Sequence, residues 1–168
     1  MSGDVLKSID AISASRELSD DLFVSSLYVL DSSIFASVLL KDEYYDVAVN
    51  FIKRHFKEEN ITVELAFVEV ANALWKHTYV LKRIPEDRYP ILRDSIKSLI
   101  SDVAQVYSSL DILEKSIDNA IKFGLTVHDS LYFTLALEGR CKFVTLDQKL
   151  IRTLAEKGFE DIVYREVQ

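Results

Sequence analysis

Four acidic residues of this sequence occupy positions suited to metal-ion chemistry. Asp31 and Asp147 each follow directly on a short apolar run. Glu69 lies in the most apolar part of a predicted helix, and Asp129 stands at the start of another apolar helix. Buried carboxylates are rare unless they are paired or coordinate a cation, and carboxylates brought together without compensation repel one another. A hard divalent cation such as Mg²⁺ or Mn²⁺ would relieve that repulsion and could activate water for hydrolysis of a phosphodiester.

Each of these acids also has a purely structural explanation. Asp31 and Asp147 could cap the helices that follow them, because aspartate is a favoured N-cap residue. Asp129 forms a Thr-x-x-Asp capping box with Thr126, and Glu69 could stand at an exposed helix edge. The combination nevertheless favours a metal pocket, because the carboxyl ends of parallel strands lie along one rim of a sheet, where α/β proteins bind their ligands.

The elements that would position these acids alternate between strands and helices. Short apolar runs predict strands at 27–31, 61–63, 103–107 and 142–146, with a last edge strand at 162–164. Helical spacing of apolar residues predicts helices at 34–40, 42–57, 65–83, 111–123, 126–137 and 148–157, and one helix or a pair of helices at 85–100. The helix at 111–123 is expected to bury Ile112, Ile117, Ala120 and Ile121. This alternation predicts an α/β fold, a three-layer α/β/α sandwich with a central parallel sheet.

The composition is that of one globular domain, since 49% of the 168 residues are hydrophobic and 28% are charged. The polar residues 1–26 predict an N-terminal extension, helical or flexible, and residues 27–168 form the domain itself. Cys141, the lone cysteine, cannot form an internal disulfide and is predicted to be a buried filler. No run of 18 apolar residues indicates a membrane span, and the N-terminus lacks the apolar core of a signal peptide, so we expect a cytoplasmic protein.

The net charge of −7 argues against a generic nucleic-acid binder, which usually carries a basic excess. If this chain handles nucleic acid, a bound divalent cation is the obvious source of positive charge. Two local basic clusters do occur, one at Lys53-Arg54-His55 with Lys57, the other at Trp75-Lys76-His77 with Lys82-Arg83. We interpret both as solvated helix faces, which is the commoner role of such charges.

Four stretches of the sequence together resemble the PIN-domain family of metal-dependent ribonucleases, which includes VapC-type toxins. They are Tyr28-Val29-Leu30-Asp31-Ser32-Ser33, Glu69-Val70-Ala71-Asn72-Ala73-Leu74, His128-Asp129-Ser130-Leu131-Tyr132-Phe133-Thr134-Leu135-Ala136 and Phe143-Val144-Thr145-Leu146-Asp147. No single stretch is specific, but their order and element types are, and the resemblance spans about residues 27–165. The compact members of the family begin almost directly at the first strand, whereas this chain carries about 26 additional residues.

The resemblance implies an endoribonuclease that cleaves RNA with water activated by Mg²⁺ or Mn²⁺. It implies that the metal and catalytic carboxylates are Asp31, Glu69, Asp129 and Asp147, and that the residues contacting these acids or the substrate are Ser33, Asn72 and Thr145. It further implies that the chain is the toxin of a toxin–antitoxin pair, held inactive by an antitoxin protein, and that it forms a homodimer. The alternative is a PIN-fold platform that binds other proteins and has little or no nuclease activity.

Overall fold

A four-stranded parallel sheet forms the centre of the fold. The computed structural model describes residues 27–55 and 57–167. The strands are β1 (Tyr28–Leu30), β2 (Asn60–Val63), β3 (Gln105–Tyr107) and β4 (Lys142–Val144), arranged in the order β3-β2-β1-β4. Every neighbouring pair is parallel, and Val29 at the middle of β1 lies beside Ile61 on one side and Phe143 on the other. β1 and β2 are buried along their whole length, as expected for apolar strands covered on both faces.

Helices cover this sheet in two groups, which confirms the predicted α/β sandwich. They are α1 (Ser32–Leu40), α2 (Tyr45–Arg54), α3 (Leu65–Trp75), α4 (Tyr89–Val103), α5 (Leu113–Phe123), α6 (Val127–Glu138) and α7 (Gln148–Glu156). α1, α3 and α4 pack against one another, whereas α5 and α6 pack together and α6 contacts β1 and β4. Because each helix returns the chain to the start of a parallel strand, every strand ends at the same rim.

Apart from shifted bounds, the largest differences between prediction and structure concern three elements. The helix predicted at 65–83 ends as an α-helix at Trp75 and continues as one π-helical turn, Lys76–Val80. The predicted edge strand at 162–164 is reduced to one parallel bridge between Val163 and Phe143. In the helix at 111–123, Ile112 and Ala120 are buried as predicted, but Ile117 and Ile121 are exposed. The predicted extension at 1–26 lies outside the described residues.

α6 is the most deeply buried helix segment, and its polar side chains are satisfied by its neighbour α5. Residues 130–136 are all buried. Within this run, the Ser130 hydroxyl donates to the Ser116 carbonyl at 2.7 Å, and Thr134 accepts from the Asn119 amide at 2.9 Å. Small hydroxyl residues let the two helices approach closely without leaving a buried polar group unpaired. The start of α6, where Asp129 lies, is therefore held firmly at the carboxyl rim of the sheet.

Two further sequence predictions can be read from the packing. Cys141 is buried, as predicted. In the first basic cluster, His55 is not a solvated residue, because its ring lies 4.2 Å from that of Tyr28 and 4.5 Å from that of Phe51.

Within the described residues, none of the helices combines the length and the apolar character that a bilayer crossing requires.

Candidate metal centre

Asp31 is held at the end of β1 by two hydroxyl groups. The residue is buried, with 7% of its surface exposed, and its N–H donates to the Val144 carbonyl at 2.9 Å. Among the described residues, its side chain makes no capping hydrogen bond to α1. Its Oδ2 atom instead accepts from Ser33 Oγ at 2.7 Å and from Thr145 Oγ1 at 2.8 Å. The capping explanation for Asp31 is therefore wrong, and the hydroxyls fix the orientation of a buried carboxylate.

The pKa of Asp31 shows which other acids stand close to it. Burial raises this pKa from 3.8 to about 6, against the opposing effect of the two hydroxyl hydrogen bonds. The negative charges of Glu69 and Asp129 contribute a smaller part of this rise. Glu69 and Asp129 are therefore near enough to Asp31 for their charges to act on it, so these three acids lie towards the same part of the rim. This grouping is the electrostatic arrangement that a cation would stabilise.

Glu69 reaches the site from the second turn of α3, which starts at the rim just after β2. Its side chain is 25% exposed, so it lies neither in the core nor at a free helix edge. Glu69 Oε2 accepts a hydrogen bond of 2.7 Å from the hydroxyl of Tyr132, which is almost fully buried in α6. Burial, together with the charges of Asp31 and Glu69, raises the pKa of Tyr132, which therefore remains a hydrogen-bond donor. Asn72, predicted to assist here, is exposed one turn further along α3.

Tyr132, which donates the hydrogen bond to Glu69, is a site residue that the sequence analysis missed. It belongs to one of the stretches that resemble the family, where it counts only as part of an apolar helix. Two signals could have identified it: Tyr132 lies three residues after Asp129 and so on the same helix face, and a buried tyrosine hydroxyl needs a polar partner.

Asp129 combines its capping role with its place in the site. Its N–H donates to Thr126 Oγ1 at 3.1 Å, and its Oδ2 accepts from the same hydroxyl at 2.8 Å. The predicted capping pair is therefore formed. His128 beside it is exposed, and its Nδ1 lies 3.8 Å from Glu69 Oε1. The capping bond does not remove Asp129 from the acidic site, because its charge still acts on Asp31.

Asp147 stands at the edge of the site rather than within it. The residue is exposed, and its Oδ1 accepts from the N–H groups of Lys149 and Leu150 at 2.8 and 3.0 Å. These bonds make it the N-cap of α7. Its own N–H donates to Thr145 Oγ1 at 3.1 Å, so Asp147 is joined to Asp31 through that hydroxyl.

The donor set fits a hydrated divalent cation. No Lys or Arg within residues 27–55 and 57–167 forms an ion pair with Asp31, Glu69 or Asp129, and the basic group beside Glu69 is the exposed His128 ring at 3.8 Å. Over the same ranges, no three His, Cys, Asp or Glu side chains are placed to hold a metal ion by themselves. Mg²⁺ is usually held by one or two carboxylates and completes its octahedron with water and substrate phosphate. The arrangement thus suits a cation shared with a phosphate better than a closed protein cage.

Comparisons with known proteins match this fold. The family described as PIN domain matches residues 28–156. Ribonuclease VapC3 of Pyrobaculum aerophilum is 32% identical over 136 residues, which cover 77% of this chain and 92% of that protein. The crystal structure of PAE2754, also from Pyrobaculum aerophilum, is similar with a TM-score of 0.59 and 24% identity, covering 80% of this chain and 86% of that one. At that identity the second likeness concerns the fold alone.

Proposed function

We propose that this chain, which belongs to the PIN-domain family, is an endoribonuclease that depends on a divalent cation, Mg²⁺ or Mn²⁺. The observation that carries the proposal is the buried Asp31 carboxylate, held by two hydroxyls and facing the charge of Glu69 and Asp129 without a basic partner. A globular protein gains nothing in stability from such a group, because burying an unpaired charge is costly. Similarity to a protein named a ribonuclease supports RNA as the substrate.

In this proposal the acids hold the cation, and the hydroxyls hold the acids. Asp31 would be the central ligand, with Glu69 and Asp129 beside it and Asp147 at the edge. A bound divalent cation lowers the pKa of a water molecule and neutralises charge on a phosphodiester. The Tyr132 hydroxyl keeps Glu69 in one orientation, so the carboxylate does not have to be ordered when the phosphate arrives. Glu69 or Asp129 could then accept the proton released by the attacking water.

Metal removal tests the proposal directly. Cleavage of a mixed-sequence RNA pool is expected with Mg²⁺ or Mn²⁺, to fall by at least about 100-fold with excess EDTA, and to return when metal is restored, because the cation contributes several kcal/mol to the transition state. Circular dichroism in EDTA is the control for folding. Cleavage that persists undiminished in EDTA would contradict the proposal. Absence of cleavage with either metal would instead favour the protein-binding platform.

Substitutions at Asp147 separate its capping role from its proposed ligand role. Asparagine caps helices as well as aspartate does, so D147N should leave the free energy of unfolding nearly unchanged. It should still lower the cleavage rate by about 10-fold, the scale of a weak outer contribution to a metal site. D147A should lose the cap as well, which costs about 1 kcal/mol in a urea denaturation measurement. Wild-type cleavage by D147N would show that Asp147 acts only as the cap of α7.

The toxin role is the finer part of the proposal. The resemblance to VapC-type toxins leads us to include an antitoxin protein that holds the nuclease inactive, and a homodimer, in the same proposal; similarity to a protein named Ribonuclease VapC3 supports the nuclease part. A neighbouring gene for a small DNA-binding protein would support an antitoxin partner.

A further inference from the structure

Two large aromatic side chains lie exposed and stacked beyond the acidic site. Trp75 ends α3, and Tyr79 follows in the π-helical turn. Their ring centroids are 5.9 Å apart with an interplanar angle of 17°. The two residues are 53% and 65% exposed. A solvated helix face needs no aromatic groups, so the interpretation from sequence leaves this pair unexplained.

The pair forms one side of an open cleft whose other side comes from α4. The cleft has a volume of about 310 Å³, and Tyr89 and Arg93 line it opposite Trp75 and Tyr79. We call these four residues the aromatic cleft. Cations lie over its rings: Lys82 Nζ is 4.8 Å from the Tyr79 centroid, and the Arg93 guanidinium is 5.6 Å from the Tyr89 centroid. Arg93 also pairs with Asp94 at 2.8 Å. Flat apolar surfaces and positive charge therefore occur together here.

The segment 76–97, which supplies three of the four residues of the aromatic cleft, has a charge opposite to that of the whole chain. Residues 76–97 contain three acids, Glu86, Asp87 and Asp94, and six Lys or Arg residues: Lys76, Lys82, Arg83, Arg88, Arg93 and Lys97. Burial lowers the pKa of His77, and the nearby charges of Arg83 and Lys76 lower it further, while Asp42 acts in the opposite direction. A local basic excess in a chain of net charge −7 marks a surface suited to an anionic partner.

We propose that the aromatic cleft binds single-stranded RNA, with bases stacked on Trp75 and Tyr79 and phosphates next to Lys82. This inference rests on the proposed function for the choice of RNA. Proteins that bind single strands combine aromatic platforms for the bases with basic groups along the backbone, whereas a duplex keeps its base faces covered. A second copy of this chain is a poorer occupant, because in a two-fold interface the same basic surfaces would face each other.

The position of the aromatic cleft suits a strand that also enters the acidic site. Trp75 follows Glu69 by six residues on α3, which corresponds to about 9 Å along the helix axis. Asn72 lies exposed between them. The acidic site repels RNA unless a cation is bound, so an anchor with positive charge next to it would supply affinity that the site itself lacks.

Binding of a fluorescein-labelled 12-nucleotide RNA of mixed sequence, measured by fluorescence anisotropy in EDTA, tests this inference without cleavage. W75A is expected to raise the Kd by about 10-fold, the scale of one lost stacking contact. W75F retains a ring for stacking and should bind more tightly than W75A. K82Q should reduce the slope of log Kd against log salt by about 0.7, the value for one phosphate contact on a single strand. I121A, which removes an exposed apolar side chain from α5, is the matched control and should bind as the wild type does.

The mass of each variant in solution, measured in parallel, completes the test. Weaker RNA binding by W75A at unchanged mass supports the inference. Wild-type binding by W75A overturns it, even if metal-dependent cleavage is intact. A loss of binding that appears only together with a change in mass also overturns it, because the face would then join subunits. If no RNA is cleaved with Mg²⁺ or Mn²⁺ but W75A still weakens binding, the proposed function fails and RNA binding by the aromatic cleft stands.

Discussion

Replacement of Asp31 by asparagine is expected to lower the rate of RNA cleavage by at least about 100-fold while the protein remains folded. The amide oxygen of asparagine can still accept the hydrogen bonds of Ser33 and Thr145, so the local structure should be retained. The variant lacks the negative charge that would hold the cation. A cation supplies several kcal/mol to phosphodiester cleavage, and a loss of about 2.7 kcal/mol corresponds to a factor of about 100.

Initial cleavage rates of the two proteins at equal Mg²⁺ concentration measure this effect. D118N is the matched control, because Asp118 is an exposed acid on α5 and the change in charge is the same. A second readout does not depend on activity. Mg²⁺ should raise the thermal midpoint of the wild type, since a cation that binds only the folded state stabilises it, and should raise that of D31N much less. Cleavage by D31N at the wild-type rate would exclude Asp31 as the central ligand.

The sequence predicted the elements of the site better than the roles of its acids. Asp31 and Asp147 look alike in the sequence, since each follows a strand and precedes a helix. In the structure Asp147 caps α7, whereas the Asp31 carboxylate accepts a hydrogen bond from the hydroxyl of Thr145, which lies 114 positions away in the chain. Capping is a local interaction that sequence spacing can indicate. The hydrogen bond between Asp31 after β1 and Thr145 after β4 forms only once the two strands lie side by side in the sheet. No local pattern distinguishes the two aspartates.

The same limit explains the predictions about exposed residues. The spacing of Ile117 and Ile121 suits an inward helix face, yet Ile121 is 79% exposed, because α5 meets the rest of the protein mainly through α6 and the small residues on that side. Trp75 belongs to a cluster that the sequence indicates as a solvated helix face, and Tyr79 lies outside that cluster. A four-residue spacing brings two side chains together on one helix face, but it indicates neither the parallel stacking of the rings nor the π-helical turn.

A second large effect is expected in stability. The free energy of unfolding of the metal-free wild type should fall relative to that of D31N as the pH rises from about 4 to 7. Burial raises the pKa of Asp31 from 3.8 to about 6, so between these values the folded state keeps a proton that the unfolded state releases. Rising pH then favours the unfolded state, and the cost is fully present above pH 6. The pKa difference corresponds to about 3 kcal/mol.

Urea denaturation of both proteins in EDTA at several pH values between 4 and 7 measures this difference. Below about pH 4, Asp31 is protonated in both the folded and the unfolded state. The difference in free energy of unfolding between the wild type and D31N should therefore approach a constant at low pH and change, to the disadvantage of the wild type, as the pH rises. D118N replaces an exposed acid, so its free energy of unfolding relative to that of the wild type should change little with pH. If the difference in free energy of unfolding between D31N and the wild type were equally independent of pH, the Asp31 carboxylate would not be buried beside Glu69 and Asp129. Excess Mg²⁺ at pH 7 should reduce the difference in free energy of unfolding between D31N and the wild type, because a cation at the site stabilises the ionised carboxylate. The same carboxylate would then both destabilise the metal-free protein and bind the cation.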